Sequence, residues 1–274
     1  MSCTHAQLIA GLPMYDFPYV AAAHDSLWKA VAGRLRDRGI AAVPATLTRD
    51  RGHIQLWKDP GLLFAQACEF PVAKGLAREV RPLATPRYAA AGCEGNRYRS
   101  AVLVRTEDAA QSLIALRGRR CAVNEPDSNS GMNLLRVSIA PLAGGQKFFN
   151  RVIVSGSHRA SAVMVAENEA DVAALDCVTL AHLQRQEPKL TARLRVLCWT
   201  PSSPCLPFIT SRQHGEDLVQ ALRRALQDVL ADPALTNVRS QLFLSGADFE
   251  VDESYPQVIG YERRAAELGY PELA

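Results

Sequence analysis

The amino-acid sequence predicts an α/β protein in which helices flank mostly parallel sheets. Two observations predict this class. Short apolar runs that suit buried strands alternate with longer segments of helical periodicity along nearly the whole chain. The chain is also long and apolar enough to bury a sizeable core, with 274 residues of which 48% are hydrophobic. Strands that alternate with helices pack in layers, with the helices on the faces of the sheets.

The predicted strands are short apolar segments bounded by glycine, proline or polar residues. Such runs suit strands that are covered on both faces. In chain order they are residues 7–12, 41–45, 80–84, 98–104, 121–123, 152–154, 172–175, 194–199 and 206–210. A chain of this length can form one large domain or two smaller lobes.

The predicted helices carry apolar residues at helical spacing. The clearest lies at 215–230, where leucines recur at every fourth position. The helix at 24–38 is closed by Gly39, since glycine favours the left-handed conformation found at helix ends. The remaining helices are predicted at residues 60–67, 109–116, 130–138, 158–169, 178–185 and 257–268.

A run of small polar residues follows the predicted strand 121–123. It contains Ser128, Asn129 and Ser130 and leads into the helix at 130–138. Hydroxyl, carboxamide and backbone N–H groups would meet there at a helix N-terminus, which carries partial positive charge and suits an anion. The alternative is an ordinary helix cap, because serine, asparagine and aspartate are preferred capping residues.

Ser157 and His158 stand at a second junction between a strand and a helix. Ligands of α/β folds bind at such carboxyl ends of strands. If the two junctions face each other, one oxyanion could be bound from both sides, with a charge-assisted hydrogen bond from His158. Taken alone, a histidine at a helix start is also explained as part of a cap.

Three further residues are candidates for the site. Asp176 follows the strand 172–175, and it either caps the next helix or points into a cleft. Tyr15 lies in a loop rich in tyrosine and proline, outside clear core periodicity, and as an exposed aromatic residue it could wall a ligand. Trp57 has similar surroundings and is explained equally well by core packing.

Composition and motifs argue against several classes of function. The net charge of +3 is small and the basic residues are scattered, so nucleic acid is not an expected partner. Neither a long apolar run nor a signal peptide is recognised, so membrane insertion is not expected and a cytoplasmic location is possible. The signatures GxSxG, HExxH, GxGxxG and the Walker loop are also missing from the sequence. We therefore assign no catalytic residue and no cofactor.

The seven cysteines include no CxxC pair, and a metal site is therefore not expected. Cys68 and Cys93 lie in loop-like surroundings and could form a disulfide. The sequence leaves this pairing open, because a disulfide requires two Cα atoms within about 7 Å of each other.

Three motifs occur in an order and at a spacing that resemble one protein family. The segment D-S-N-S-G at 127–131 resembles the D-S-x-S-G segment of phosphate- and phosphonate-binding proteins of ABC transporters. The segment S-H-x-x-S at 157–161, followed by A-D-V-A at 170–173, resembles the same family's next motif. Residues 199–207 resemble its crossover between lobes. The resemblance to these PhnD-like proteins extends over residues 8–270.

This resemblance implies a two-lobed type II periplasmic-binding-protein fold with the ligand cleft between the lobes. Residues 1–103 and 199–274 would form one lobe, and residues 104–198 the other. A hinge would close the lobes over the ligand. By matching motif, the implied oxyanion ligands are Ser128, Asn129, Ser130 and His158.

The implied function is capture of a small oxyanion, of the phosphate, phosphite or phosphonate type, for an ABC importer. The partners would be that ligand and the transporter permease, and the protein would act as a periplasmic monomer. Family members that bind aminoalkyl phosphonates use acidic groups for the amine. Those groups are not recognised near Val178 or Cys205, so an anion without an amine is expected. The alternatives are an enzyme similar to thiamine-pyrimidine-precursor synthases and a cytoplasmic ligand sensor of the same fold.

Overall fold

The computed structural model describes residues 7–252 and 255–274. The strands in these ranges are β1 (Ile9–Gly11), β2 (Leu62–Gln66), β3 (Val80–Tyr88), β4 (Arg97–Tyr98), β5 (Ser100–Arg105), β6 (Arg120–Val123), β7 (Arg151–Val154), β8 (Val172–Asp176), β9 (Leu194–Trp199), β10 (Ser203–Pro204), β11 (Phe208–Ser211) and β12 (Leu244–Asp248). The helices are α1 (Ala21–Asp37), α2 (His53–Trp57), α3 (Glu69–Lys74), α4 (Leu134–Ala143), α5 (His158–Ala166), α6 (Cys177–Gln186), α7 (Pro188–Thr191), α8 (Glu216–Ala231), α9 (Thr236–Gln241) and α10 (Pro256–Glu267). None of these helices is both long and apolar enough to cross a bilayer. Residues 1–6, on which the interpretation of the N-terminus as lacking a signal peptide largely rests, lie outside the described residues.

The chain divides into two compact units, each with its own sheet. The described residues of the first unit are 7–89 and 205–252, and those of the second are 90–204 and 255–274. The lobe boundaries expected from the sequence, after residues 103 and 198, fall elsewhere. The reason is that β5 pairs with both β8 and β9, so a boundary at residue 103 would cut through one sheet. The C-terminal helix α10 packs against α4 and therefore belongs to the second unit.

The first unit is built on a five-stranded sheet in the order β1-β2-β11-β3-β12. Helices α1 and α8 pack against each other beside it. Their apolar stripes contribute Leu35, Leu222 and Leu226 to the core, all fully buried. The helix predicted at 215–230 is confirmed, and so is the end of α1, where Gly39 has a φ of +80°.

The second unit contains a five-stranded sheet in the order β7-β6-β8-β5-β9 and a small sheet formed by β4 and β10. Helix α5 packs on the larger sheet, and Ala162 and Val165 of α5 join Leu103, Ala173 and Leu175 in the core. The helix start at the end of β6 and the start of α5 after β7 are the two junctions that the sequence singled out.

The α/β class is confirmed, but both five-stranded sheets are mixed rather than mostly parallel. β1 and β2 run parallel, as do β6, β7 and β8, whereas β5, β11 and β12 run antiparallel to their neighbours. Parallel neighbours need a crossover connection, usually a helix. The chain passes from one unit to the other between β3 and β5 and again between β9 and β11. Neither of these two connections, both within the described residues, contains an α-helix.

Two predicted elements are wrong, and a third, the helix at 109–116, contains only the short 3₁₀ helix Leu113–Leu116. Residues 60–67, predicted as a helix, contain strand β2, which is buried along its whole length between β1 and β11. Its continuous apolar run has neither helical nor alternating periodicity, so the pattern could not distinguish the two structures. Residues 41–45, predicted as a strand, form an irregular turn in which Ala42 has a φ of +57°. This left-handed conformation does not fit a strand.

Candidate functional site

The polar run after β6 forms the start of a helix. Ser128 is the N-cap, and its hydroxyl oxygen accepts a hydrogen bond from the Gly131 N–H at 3.0 Å. Residues Asn129–Asn133 then form a π-helical turn that continues into α4. Single π-turns of this kind are frequent at functional sites. The prediction of a capped helix start at this junction is confirmed.

Close packing explains the glycine in this turn. A Cβ atom at Gly131 would lie 1.8 Å from Asn124 Oδ1 and 3.1 Å from His158 Cε1. The side chain of Asn124, which directly follows β6, therefore occupies the space beside the glycine. Its buried Oδ1 has no hydrogen-bond partner in the described part of the chain. Unsatisfied buried amide groups mark places where water or a ligand completes the hydrogen bonding.

The neighbouring strand brings His158 to the same place. β7 runs parallel to β6 and pairs with it over its whole length, so the two carboxyl ends lie side by side. Ser157 caps α5, because its hydroxyl oxygen accepts a hydrogen bond from the Ala160 N–H at 3.1 Å. His158 is the first residue of that helix and faces the other junction.

Ser128, Ser130 and His158 form a polar cluster in the second unit, which we call the Ser–His cluster. Nε2 of His158 lies 2.8 Å from Oγ of Ser130, and that oxygen lies 3.4 Å from Oγ of Ser128. Both serines are nearly buried, with exposed fractions of 5% and 6%. The structure thus brings together side chains from the two junctions that the sequence singled out.

The cluster carries no formal charge near neutral pH. Burial lowers the pKa of His158 to about 4, and a backbone hydrogen bond with Ala174 offsets only part of that shift. A neutral imidazole has one donor and one acceptor nitrogen, and the tautomer decides whether the Ser130 hydroxyl donates to Nε2 or accepts from it. Two helix N-termini supply partial positive charge at the same place. This combination suits an anion that is held by neutral donors.

Lowering the pH from 6.5 to 4 should destabilise the protein through His158. The pKa of this histidine falls from 6.5 to about 4 on folding, so the unfolded chain takes up the proton first. Above pH 6.5 His158 is neutral in both states and costs no stability. As the pH falls from 6.5 to about 4, the unfolded state gains the proton first and the free energy of unfolding decreases. We expect a loss of about 1–3 kcal/mol in the free energy of unfolding.

Chemical denaturation of the wild type and of His158→Gln across this window measures the effect. The glutamine variant should lose less stability than the wild type as the pH falls. Burial also lowers the pKa of His214, which contributes equally to both proteins and cancels in the comparison. Parallel pH profiles for the two proteins would contradict the burial of His158 as a neutral group.

Gly131→Ala should destabilise the second unit by about 1–3 kcal/mol, because the added methyl group overlaps the Asn124 side chain. Gly33→Ala is the matched control. Gly33 lies within α1, and a Cβ there meets no atom within 4 Å. The control should gain up to about 1 kcal/mol, since alanine is the better helix former. Thermal unfolding of both variants tests this expectation, and a neutral Gly131→Ala would show that the asparagine can move aside freely.

The amide of Asn129 is bonded within the protein. Its Nδ2 donates hydrogen bonds to the Tyr98 hydroxyl at 3.1 Å and to the Ser203 hydroxyl at 2.8 Å, while its Oδ1 accepts one from Asn133 at 2.9 Å. The residue is fully buried. These bonds occupy the amide and hold the π-turn against β4 and β10. A contact between Asn129 and a ligand stays a prediction.

Asp176 caps a helix. Its Oδ1 accepts hydrogen bonds from the N–H groups of Val178 at 2.8 Å and Thr179 at 3.0 Å. These bonds favour the cap, one of the two alternatives that the sequence left open, and the residue is buried at the end of β8. A contact between Asp176 and a ligand stays a prediction.

Tyr15 and Trp57 are buried residues of the first unit, against the expectation of exposed aromatic walls. The indole N–H of Trp57 donates to the Gln66 carbonyl at 3.0 Å, and the residue is 1% exposed. This favours the packing alternative for Trp57. Tyr15 packs edge-on against Tyr88, with ring centroids 5.5 Å apart. Apolar neighbours in the core account for the burial of both rings, and a ligand contact by either stays a prediction.

Sequence reasoning missed the residues that support the cluster. Asn124 and Gly131 belong to the polar run and could have been singled out by their position at the end of a strand and in a helix cap. Tyr98 and Ser203 offered no such signal. They meet because β4 pairs with β10, which places them opposite each other although they are far apart along the chain.

Two kinds of comparison bear on this site and its fold. A family model described as "ABC transporter, phosphonate, periplasmic substrate-binding protein" matches residues 18–253. That range includes Ser128, Ser130 and His158. It covers most of the chain and both units.

Solved structures agree on the fold. A binding protein component of an ABC phosphonate transporter from Pseudomonas aeruginosa matches with a TM-score of 0.75 and 18% identity, covering 96% of this chain and 88% of that one. PhnD1 from Prochlorococcus marinus, in complex with methylphosphonate, matches with a TM-score of 0.74 and 15% identity, covering 95% and 99%. A Xanthomonas citri protein bound to ATP matches with a TM-score of 0.71 and 18% identity, covering 96% and 98%. At these identities the matches show a shared fold, the two-lobed fold of periplasmic binding proteins.

Proposed function

This chain belongs to the family of periplasmic substrate-binding proteins of phosphonate ABC transporters, and from that premise we propose that it captures a small phosphorus oxyanion at the Ser–His cluster. The observation that carries the proposal is the meeting of Ser130 and His158 at 2.8 Å where two helices begin. The family is a class of transport proteins and not of enzymes. The match to it favours this function over the enzyme and sensor alternatives.

The chemistry of the cluster fits such an anion. The hydroxyls of Ser128 and Ser130 can rotate to donate to phosphoryl oxygens, and a neutral His158 can donate through Nε2 in the tautomer that carries the proton on that nitrogen. Hydrogen bonds to a charged group contribute roughly 1.5–3 kcal/mol each, more than bonds between neutral groups. The N-termini of α5 and of the π-turn before α4 add favourable potential for negative charge. Because the donors are neutral, the cluster holds no buried charge when the anion is absent.

The ligand class is proposed to be phosphate, phosphite or an unsubstituted phosphonate such as methylphosphonate. Asp176, the acidic residue at the end of β8, already caps α6 through Oδ1. Burying an ammonium group without a carboxylate partner is costly. We therefore expect an amine on the ligand to bring no gain in affinity.

The partner is proposed to be the permease of an importer, and the site of action the periplasm, both following from the family. The protein is proposed to work as a monomer. Closure of the two units on ligand binding, which the family resemblance implies, stays a prediction. Small-angle scattering with and without methylphosphonate would test it through the radius of gyration.

Isothermal titration calorimetry on the purified chain tests the function. The panel consists of methylphosphonate, inorganic phosphate, phosphite and 2-aminoethylphosphonate, with sulfate as an anion that lacks phosphorus. We expect saturable binding of at least one phosphorus anion with a dissociation constant of about 1 μM or tighter, which corresponds to about 8 kcal/mol. The amino compound should bind no better than methylphosphonate. Absence of binding across all four phosphorus anions would overturn the proposal.

A further inference from the structure

Two cysteines of the second unit lie side by side. Sγ of Cys93 and Sγ of Cys177 are 3.3 Å apart, although the residues are 84 positions apart in the chain. Cys93 is partly exposed and Cys177 is buried. The sequence left open a disulfide between Cys93 and Cys68, whereas the sulfur that the structure places beside Cys93 is that of Cys177.

The backbone holds both sulfurs in place. Cys177 begins α6, and its N–H donates to the Arg99 carbonyl at 3.2 Å. Cys93 is tied into a turn by the bond from its N–H to the Ala90 carbonyl at 3.0 Å. Two ordered backbone segments therefore present the thiols to each other.

The glycine before Cys93 permits this approach. Gly92 has a φ of +98°, in the left-handed region that favours glycine. A Cβ atom there would lie 2.9 Å from Cys177 Cβ and 2.6 Å from Trp199 Cζ3. Any side chain at this position would push the loop away from the start of α6. Gly92 is thus a local requirement for the contact between the two cysteines.

We propose that Cys93 and Cys177 form a reversible disulfide, so that the second unit carries a redox-responsive cross-link. The oxidant is a small-molecule disulfide such as oxidised glutathione. The Cys93 thiolate attacks one sulfur of the oxidant and releases the first thiolate product, leaving a mixed disulfide on Cys93. Cys177 then loses its proton to solvent, and its sulfur attacks Cys93 Sγ and expels the second thiolate. Two protein thiols are oxidised, and one disulfide is reduced to two thiols.

Exposure fixes the order of these steps. Cys93 is the accessible thiol, and Cys177 is only 1% exposed. The hydrogen bond with Cys93 and burial raise the pKa of the Cys177 thiol well above its usual range. Cys177 is therefore a poor first nucleophile towards an external oxidant and reacts with the sulfur already beside it.

The cross-link would join the loop before β4 to the start of α6, next to Asp176. It would close a long loop in the unfolded chain, which is the main source of stabilisation by a disulfide. We expect oxidation to raise the melting temperature by roughly 5–10 °C for a chain of this size. Reduction with dithiothreitol should reverse the shift.

Non-reducing peptide mapping of the intact wild-type chain, after incubation with oxidised glutathione and alkylation under denaturing conditions, tests the pairing. The expected product is one linked peptide pair that contains Cys93 and Cys177, with the other five cysteines alkylated: Cys3, Cys68, Cys121, Cys198 and Cys205. A bond between Cys93 and Cys68, a glutathione adduct that persists on Cys93, or two alkylated thiols would each overturn the proposal.

Thermal unfolding of two variants separates the cross-link from general effects of oxidation. Cys93→Ser, in a partly exposed loop, should lose the redox-dependent shift in melting temperature. Cys198→Ser should keep it, since Cys198 is also partly exposed and its sulfur contacts no other cysteine within the described residues. A shift of equal size in both variants would overturn the assignment to this pair. The outcome does not depend on ligand binding, so it is independent of the proposed function.

Discussion

Ser130→Ala is expected to weaken binding of the anion identified by calorimetry about ten- to a hundredfold. The Ser130 hydroxyl is the member of the Ser–His cluster that links the two junctions, because it lies 2.8 Å from His158 Nε2 and 3.4 Å from Ser128 Oγ. Alanine removes one hydrogen bond to a charged ligand. It also leaves the imidazole nitrogen without its partner. Titration calorimetry with methylphosphonate or phosphate measures the change.

Ser138→Ala is the matched control for this variant. Ser138 lies on α4, and its hydroxyl donates to the Leu134 carbonyl of the same helix at 2.7 Å. The control removes a hydroxyl of the same kind without touching the cluster, so the affinity should be unchanged. Equal affinity of the wild type and both variants would mean that the anion binds elsewhere. A melting temperature of Ser130→Ala near that of the wild type, measured without ligand, would show that the loss of affinity is local.

The juxtaposition that underlies this prediction could be inferred from local sequence. A short apolar strand followed by small polar residues and a helix occurs twice, with the polar runs at Ser128 and Ser157. The carboxyl ends of parallel neighbours meet at one edge of a sheet, so the two junctions could be expected to meet if their strands were adjacent. β6 and β7 are indeed parallel neighbours. Each step needed only residues close together in the chain, which is why it succeeded.

The errors arise where distant segments decide the structure. The run at Leu62–Gln66 has no periodicity of its own, and it is a strand because β1 and β11 flank it. The boundary between the units depends on the pairing of β5 with β8 and β9, which no local sequence pattern predicts. The sulfur contact between Cys93 and Cys177 likewise joins residues 84 positions apart. Propensity and spacing carry little information about such contacts.

At the site itself, Asn129 shows how contacts with distant segments set the direction of a side chain. From the sequence it is one of three neighbouring polar residues that could donate to an anion. In the structure its neighbours Ser128 and Ser130 face the His158 junction, whereas its own amide is turned towards Tyr98 and Ser203. Adjacent residues of a helical turn point in different directions, so a motif match assigns a position without assigning the direction of its side chain.

Asn129→Ala should therefore act on stability, with an expected loss of about 2–4 kcal/mol in the free energy of unfolding. The substitution removes an amide that bonds to the hydroxyls of Tyr98 and Ser203 and accepts from Asn133, and it strands these buried groups without their partner. Unsatisfied polar groups in a buried network cost more than one ordinary hydrogen bond. Urea denaturation without ligand measures the loss.

The exposed Asn150 provides the matched control in the same unit, and the free energy of unfolding of Asn150→Ala should stay within about 0.5 kcal/mol of the wild type.

Comparison with Ser130→Ala separates a residue that supports the turn from one that binds the anion. Asn129→Ala should lose stability first, and any loss of affinity should follow from disorder of the π-turn. Ser130→Ala should lose affinity with a smaller loss of stability, about 1 kcal/mol, from the His158 nitrogen left without its partner. If Asn129→Ala instead kept the stability of the wild type and lost only affinity, Asn129 would contact the ligand directly, as the motif alone suggested. The amide network behind the turn would then be incidental to the fold.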